Sequence, residues 1–400
     1  MLARESRALL WVLAVLVALG PLSTDLYLPA LPAMVDSLSS SVSAAQLTLS
    51  SYLAGFSLFH LLCGPLADRY GRRVVLAGGL LLFAVASVGC ALASSMDSLV
   101  AWRFVQGIGA CTGPTLGRAV VRDIHGSRSA RALATLAAIM AVAPVVAPIL
   151  GGWMLEWTSW RSLFWLLAGY ALLAGLMLWR WVPETLPVVQ PLRPRAIAAN
   201  LRRLVRHPEF NTPVAAAALH YAGAFAFLSG ASFVLIDVFG VPPRQFGLWF
   251  VFIVVGYIGG NLFTIHWGHR WSAGALMLGA GWMAAGAGLT MAALAWLEVR
   301  HPLAVVLPMA CYTASVGIAL PQAMTQAMLP FAGMAATASA LLGFAQMGVS
   351  AMVGVAVGLL LRDSALSMAL VIAATGSGAL LIYGLLWRRG RRGQPSAQLS

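Results

Sequence analysis

The stretch GPLADRYGRR, residues 64–73, separates two long apolar runs at about residues 45–66 and 74–94. It carries one acid, Asp68, together with three arginines and two glycines. Each flanking run is long enough to cross roughly 30 Å of hydrocarbon as a helix. Glycine permits a tight backbone turn, and clustered arginines stay out of the lipid. The stretch therefore predicts two adjacent membrane helices joined by a short, basic turn.

The whole chain has the composition of a membrane protein. Hydrophobic residues make up 60% of its 400 residues and charged residues only 9%, whereas soluble domains carry about 25% charged residues. We therefore predict an all-α polytopic membrane protein with 12 transmembrane helices. The apolar segments lie at about 8–31, 45–66, 74–94, 98–121, 133–155, 161–182, 212–236, 246–267, 273–297, 302–324, 334–361 and 366–387.

The basic residues indicate how these helices are oriented. All 25 are arginines: 19 lie in segments on one side of the predicted spans, 4 on the other, and Arg103 and Arg118 fall inside the fourth span. Cytoplasmic loops are enriched in arginine, so both termini are expected in the cytoplasm. Arginines spread over many short loops do not form a phosphate-binding face, so nucleic acid is not an expected partner.

A long basic connection divides the chain into two halves. Residues 183–211 contain four prolines up to position 194 and lie between the sixth and seventh spans. Six helices on each side of a linker is the plan of transporters built from repeats. We predict an N-terminal six-helix half at 1–182, the linker at 183–211, a C-terminal half at 212–387 and a cytoplasmic tail at 388–400.

One carboxylate interrupts the first span. An ionised Asp25 within hydrocarbon costs at least about 2.5 kcal/mol, so such a residue is by default a functional candidate. Alternatively, it caps a helix segment after Pro21 or touches water at the outer interface. Arg103 in the fourth span has a similar depth and needs a partner, which predicts an Asp25–Arg103 pair. The alternative for Arg103 is snorkelling to the outer headgroups.

The fifth span contains APVVAPILGG at residues 143–152. Prolines bend a helix, and glycines let a neighbouring helix approach closely. The expected neighbour is the eighth span, whose Gly256, Gly259 and Gly260 offer a smooth face. The residues assigned to this motif are Pro144, Pro148, Gly151 and Gly152.

Several segments resemble one known family. Residues 64–73 are similar to the G-x-L-a-D-r-x-G-r-r signature of the major facilitator superfamily, and AWRFVQGIG at 101–109 is similar to its R-x-x-q-G-x-g motif. Residues 143–152 resemble the motif of its drug-exporting antiporters. Five further segments resemble the Bcr/CflA drug-resistance subfamily, which includes bicyclomycin, chloramphenicol and florfenicol exporters. They are TDLYLPALP (24–32), QLTL (46–49), VRD (121–123), WRSLF (160–164) and ASALLG (338–343).

The resemblance implies a charged gate on the cytoplasmic side. Asp68 is expected to pair with Arg72 and to lie near the start of the eleventh helix, at about 333–337. Asp123 completes a chain that breaks when the protein opens inward. The gating set comprises Gly64, Asp68, Arg69, Gly71, Arg72, Arg73 and Asp123.

Two departures from the family pattern stand out in the second half. The counterpart of the signature loop, WGHR at 267–270, lacks the acid, which predicts an asymmetric gate. Gln322 stands where the family pattern has Asn.

These features predict a proton-coupled antiporter that exports a small amphipathic antibiotic by alternating access. Asp25 would take a proton from outside and release it inside. Because Asp25 and Arg103 would cancel, neutral substrates are expected. Residues expected to line the cavity are Tyr27, Tyr52, Phe56, Gln106, Tyr221, Phe225, Phe227 and Gln322.

Other function classes find less support in the sequence. An importer on the same scaffold is the main alternative, and a non-transporting membrane sensor is the next. No nucleotide-binding or catalytic motif is present, so we predict neither an enzyme nor a cofactor, and His266 and His269 lack the further ligands of a metal site. Expected partners are a small drug, protons and the lipid bilayer, for a monomer in the bacterial inner membrane.

Overall fold

A computed structural model describes residues 7–126, 129–186, 188–189, 191, 194–360 and 365–392. Four arginines that were used to predict the orientation of the chain lie outside these residues. The arginines concerned are Arg4, Arg128, Arg193 and Arg362, and the end of the predicted tail, residues 393–400, is also outside.

The described part of the chain is almost wholly helical. Short 3₁₀ and π-helical turns at Leu28–Ala30 and Phe233–Val238 extend two of the membrane helices. The α-helices are α1 (Arg7–Asp25), α2 (Leu31–Ser37), α3 (Val42–Tyr70), α4 (Arg72–Ala91), α5 (Met96–Ala110), α6 (Thr112–His125), α7 (Ser129–Trp157), α8 (Arg161–Trp181), α9 (Pro194–Val205), α10 (Pro208–Ser232), α11 (Pro243–Trp267), α12 (Ala273–Trp296), α13 (Leu303–Met328), α14 (Ala335–Leu360) and α15 (Leu366–Arg392).

Eleven helical segments within the described residues are long and apolar enough to cross a membrane. The predicted fourth span is instead divided at Cys111 into α5 and α6. Pro114 has no backbone N–H to bond the preceding turn, which favours a break at this point. The eleven segments and this divided helix correspond to the twelve predicted spans.

Contacts between the two halves extend from the predicted outer end past the middle of the molecule. Ser232 Oγ donates to the carbonyl of Leu28 at 2.6 Å, and Arg244 lies 3.5 Å from Glu156. Nearer the middle of the membrane, Ser57 on α3 donates to the carbonyl of Phe344 on α14 at 2.9 Å. The outer end is therefore closed in this structure.

Glycines allow α7 and α11 to meet at this closed end. A Cβ on Gly247 would lie 2.5 Å from the backbone nitrogen of Ile149, and one on Gly152 would meet the backbone of Pro243. The predicted pairing of the fifth and eighth spans is present, but the predicted glycine face was wrong. Gly256 and Gly260 pack against α13 instead, and nothing lies within 4 Å of a Cβ on Gly259.

The predicted linker contains a helix. Its α9 packs against α10 and α14, and Leu204 is fully buried there. The basic connection is thus anchored to the C-terminal half through an apolar contact as well as being available to lipid headgroups.

The charged turn between α3 and α4 contains the expected ion pairs. Arg72 lies 2.6 Å from Asp68 and 3.2 Å from Asp123. Gly71 adopts a φ of 100°, which side-chain-bearing residues rarely do. Contact of Asp68 with the start of α14 is not among the described interactions, and the side chains at 333 and 335 lie outside the described set. A gating role therefore stays a prediction.

Glu184, which the sequence did not single out, caps α4. Its carboxylate accepts from the backbone N–H groups of Arg72 at 3.0 Å and Arg73 at 3.1 Å. Partial burial opposes ionisation, yet the backbone donors, which include Leu186 and Thr185, outweigh it and lower the pKa of Glu184 below its ordinary value. An anion at a helix N-terminus is also stabilised by the helix dipole.

We predict that Glu184→Ala lowers the thermal stability of the purified protein in detergent. A lost helix cap costs about 1 kcal/mol, or about 2 °C in Tm for a large protein. Because the folded-state pKa is lowered, the cap stabilises fully at neutral pH and its contribution is lost as the pH falls through that pKa. The difference in Tm between the two proteins should therefore shrink in acid.

The matched control is Glu298→Ala, which removes an exposed acid from the loop after α12. An equal loss of Tm in both variants, or a difference that does not change with pH, would contradict the capping role of Glu184.

Candidate transport site

The first membrane helix breaks immediately after Asp25. Helix α1 ends at this residue, and the chain continues as a 3₁₀ turn at Leu28–Ala30, consistent with the prolines at positions 29 and 32, which cannot donate to a continuing helix. The Asp25 side chain is only 4% exposed, and Thr24 Oγ1 lies 2.8 Å from its Oδ1. This acid therefore lies inside the protein, not in water at the outer interface.

Arg103 is fully buried between aromatic rings. Its guanidinium carbon lies 4.3 Å from the ring centre of Tyr27 and 4.4 Å from that of Tyr52. The same group donates to the carbonyl oxygens of Ser23 at 3.1 Å and Thr48 at 3.4 Å. Cation–π contacts are strongest in such desolvated settings. Arg103 thus joins α1, α3 and α5.

The predicted ion pair between Asp25 and Arg103 was wrong for this structure. Within the described residues, no carboxylate lies within 4 Å of Arg103. Snorkelling is excluded too, because the side chain is 0% exposed. The reason is geometric: two carbonyls, two rings and Gln106 Oε1, at 2.5 Å, surround the guanidinium. Similar depth in the membrane did not imply contact.

Three of the residues predicted to line the cavity belong to the packed interior instead. Tyr27 and Gln106 are both 0% exposed and contact Arg103, and Gln106 also donates to Ser87 Oγ at 2.7 Å. Phe227, equally buried, packs against Phe250 with ring centres 5.9 Å apart. These predictions failed because a polar or aromatic residue in a span can satisfy a buried neighbour instead of facing a ligand.

Several of the remaining candidate residues lie around Tyr221 on α10. It lies in electrostatic range of Asp25, Tyr52, Arg118 and Tyr257. Its ring centre lies 5.0 Å from that of Phe225. The structure therefore brings both halves together around one half-buried tyrosine.

The aromatic candidates on α3 are also buried, since Tyr52 is 1% and Phe56 5% exposed. Tyr52 bonds Ser23 Oγ at 2.5 Å, and Phe56 follows one turn later on α3, with its ring 6.3 Å from that of Tyr52. Gln322 is half-buried on α13.

Sequence reasoning passed over Arg118 as a site residue. Its Nε donates to the carbonyl of Pro114 at 2.9 Å, and its side chain is exposed although it lies in electrostatic range of Tyr221 in the opposite half. The signal was available, since Arg118, like Asp25, is a charged residue inside an apolar span.

Comparison with known proteins identifies the family to which the chain belongs. The Major Facilitator Superfamily matches residues 13–355. A chloramphenicol resistance protein of Pseudomonas aeruginosa is 32% identical over 308 residues, which cover 75% of this chain and 71% of that protein. A bicyclomycin resistance protein homolog of Haemophilus influenzae is 31% identical over 249 residues, covering 62% of this chain and 63% of that protein.

A multidrug resistance protein, MdtM of Salmonella typhimurium, is 34% identical over 227 residues, covering 56% of this chain and 55% of that protein. The chain thus spans less than two thirds of the length of the Haemophilus and Salmonella proteins.

Solved structures agree on the fold. A D-xylose–proton symporter has a TM-score of 0.72 at 17% identity, covering 93% of this chain and 97% of that one. A bacterial homolog of the human lysosomal transporter Spinster has a TM-score of 0.71, also at 17% identity, covering 98% of both chains. At such low identity these likenesses concern the fold alone. The chain belongs to the Major Facilitator Superfamily and is similar to drug-resistance proteins of the Bcr/CflA type.

Proposed function

We propose that this transporter is a proton-coupled antiporter that exports small amphipathic antibiotics from bacteria. The supporting observation is the buried Asp25 carboxylate, whose described partner is a hydroxyl group and which has no described cation within 4 Å. An unpaired carboxylate is costly in an apolar interior, and proton uptake removes that cost. Its position at the C-terminal end of α1 adds repulsion from the helix dipole.

Proton access would alternate because Asp25 adjoins the outer closure. In the turn that follows it, the backbone carbonyl of Leu28 accepts a hydrogen bond from Ser232 of the C-terminal half. Within the N-terminal half, α7 packs closely on the same turn, because a Cβ on Gly151 would meet the backbone of Leu26 and lie 3.3 Å from Pro29. Separation of the halves at this end would uncover the Asp25 segment to the outside, whereas the closed state shields it.

The energy of one proton suffices for useful export. A charge moving through 100 mV gains about 2.3 kcal/mol. At about 1.4 kcal/mol per tenfold, this supports a roughly forty- to fifty-fold gradient of a neutral drug. The chain of ion pairs from Asp68 through Arg72 to Asp123 is the proposed inner gate, in a monomer with both termini in the cytoplasm.

An importer of a small metabolite remains the second candidate, since a sugar–proton symporter shares the fold. The similarity to chloramphenicol and bicyclomycin resistance proteins favours export. A membrane sensor would need no titratable site in the transport pathway.

We predict that Asp25→Asn abolishes export, because asparagine cannot carry the proton. In a pump-deficient bacterium the wild-type protein should raise the minimum inhibitory concentration of chloramphenicol or bicyclomycin at least fourfold, and the variant should not. In proteoliposomes, drug addition should drive proton movement with the wild type only. Asp97→Asn on α5 is the matched control, because it removes an exposed acid from the first turn of a helix at the predicted outer end.

Resistance that is unchanged by the wild-type protein across an antibiotic panel would remove the exporter hypothesis. Greater accumulation of a compound in cells carrying the protein would instead identify an importer. Full export by Asp25→Asn would place proton coupling elsewhere.

A second prediction concerns the outer closure. Gly247→Val should prevent α7 and α11 from meeting, because the added side chain would overlap the backbone at Ile149. The variant should be inserted normally yet lose at least about tenfold in export rate, as expected when one state of the cycle is blocked. Gly169→Val is the control, since nothing lies within 4 Å of a Cβ there. Equal export by the two variants would contradict the role of this contact.

A further inference from the structure

One face of α6 carries two exposed arginines, Arg118 inside the predicted span and Arg122 near the end of the helix. Thr115, Arg118 and Arg122 follow at helical spacing and share a face. Arg118 and Arg122 are exposed, whereas the neighbouring residues of α6, Leu116, Gly117, Ala119, Val120 and Val121, are buried. The arginines therefore face open space while the rest of the helix faces protein.

That space lies between the two halves and not in the lipid. Arg118 is in electrostatic range of Tyr221, which belongs to α10 in the other half. The opposite side of α6 packs on α1, where a Cβ on Gly117 would lie 2.5 Å from Val17. We call the space between Arg118, Arg122 and Tyr221 the inner cleft.

The positive charge of the inner cleft has no carboxylate partner among the described residues. The described hydrogen bond of Arg118 goes from Nε to a backbone carbonyl of its own helix. The nearest acid in sequence, Asp123, is engaged by Arg72 at 3.2 Å and Thr185 at 3.3 Å. An uncompensated cation in a partly desolvated cleft attracts anions strongly.

The other two charged residues of the transport site, Arg103 and Asp25, are buried and do not face the inner cleft. Arg103 is enclosed by rings and carbonyls, and Asp25 is buried beside Thr24. The expectation of neutral substrates depended on these two charges cancelling each other. In the structure, a molecule that enters from the cytoplasm would meet Arg122 and then Arg118.

We propose that Arg118, assisted by Arg122, binds the anionic group of amphipathic organic anions, such as an aromatic carboxylate. The proposal rests on the proposed transport function and narrows its substrate class. Arginines one helical turn apart have Cβ atoms about 5–6 Å apart, and each guanidinium can hold a carboxylate with two parallel hydrogen bonds. Tyr221, whose ring packs against that of the buried Phe225, supplies the aromatic surface for the apolar part of the molecule.

The test compares two dyes of similar shape and opposite charge, fluorescein as the anion and pyronin Y as the cation. Their dissociation constants are measured by fluorescence polarisation on the purified full-length protein in detergent. The wild type should prefer fluorescein. Arg118→Gln should weaken fluorescein binding about tenfold or more, the usual effect of losing a charge-assisted hydrogen bond. Arg118→Lys, which keeps the charge but not the paired donors, should lose less affinity than Arg118→Gln.

Arg270→Gln is the matched control, because Arg270 is an exposed arginine in the turn after α11. Its fluorescein affinity should equal that of the wild type. Thermal melting of each variant establishes that it is folded, and Arg122→Gln provides a second folded variant with a smaller expected loss.

Equal affinity of the wild type for both dyes, or fluorescein binding that Arg118→Gln leaves unchanged, would overturn the proposal. Resistance of cells to a panel that includes neutral and anionic antibiotics is measured in parallel. No change in resistance to any compound, beside charge-selective dye binding, would refute the proposed export and leave the anion site supported, so the two failures are distinguishable.

Discussion

The buried guanidinium of Arg103 connects the helices that form the candidate proton site. It bonds carbonyls of α1 and α3 and stacks between Tyr27 and Tyr52. An arginine without a carboxylate is costly inside a membrane protein, and its planar shape lets rings and carbonyls offset that cost where a lysine could not. Carbonyls, rings and Gln106 hold Arg103, although its Nη2 has no described hydrogen-bond partner. Asp25 likewise has no described counter-ion, which supports the proposal that it exchanges a proton.

The break in the first helix places Asp25 next to a contact between the two halves. A continuous helix would pack smoothly against its neighbours, whereas the turn at Leu28–Ala30 presents backbone oxygens and apolar side chains to the C-terminal half. The cross-half contact and the proton site therefore share one short segment. Alternating access needs a segment that can adopt two conformations, and the binding of a proton or of drug must shift the equilibrium between them.

Sequence patterns predicted the long-range order of the molecule better than its contacts. Apolar length identified the spans, and glycine and charge identified the turn around Asp68 and Arg72, because both signals are local. The pairing of Asp25 with Arg103 failed because depth along a helix says nothing about rotation around it. Arg118 could have been singled out, like Asp25, as a charge inside an apolar span, but its exposure depends on how the two halves separate, which no local pattern contains.

The central claim is that Asp25 carries the transported proton. It is tested most directly by recording protons released or taken up when drug is added to the purified protein in weakly buffered detergent. The account predicts about one proton released per drug bound by the wild type and none by Asp25→Asn, with drug binding itself retained. Unchanged proton release in the variant would contradict it.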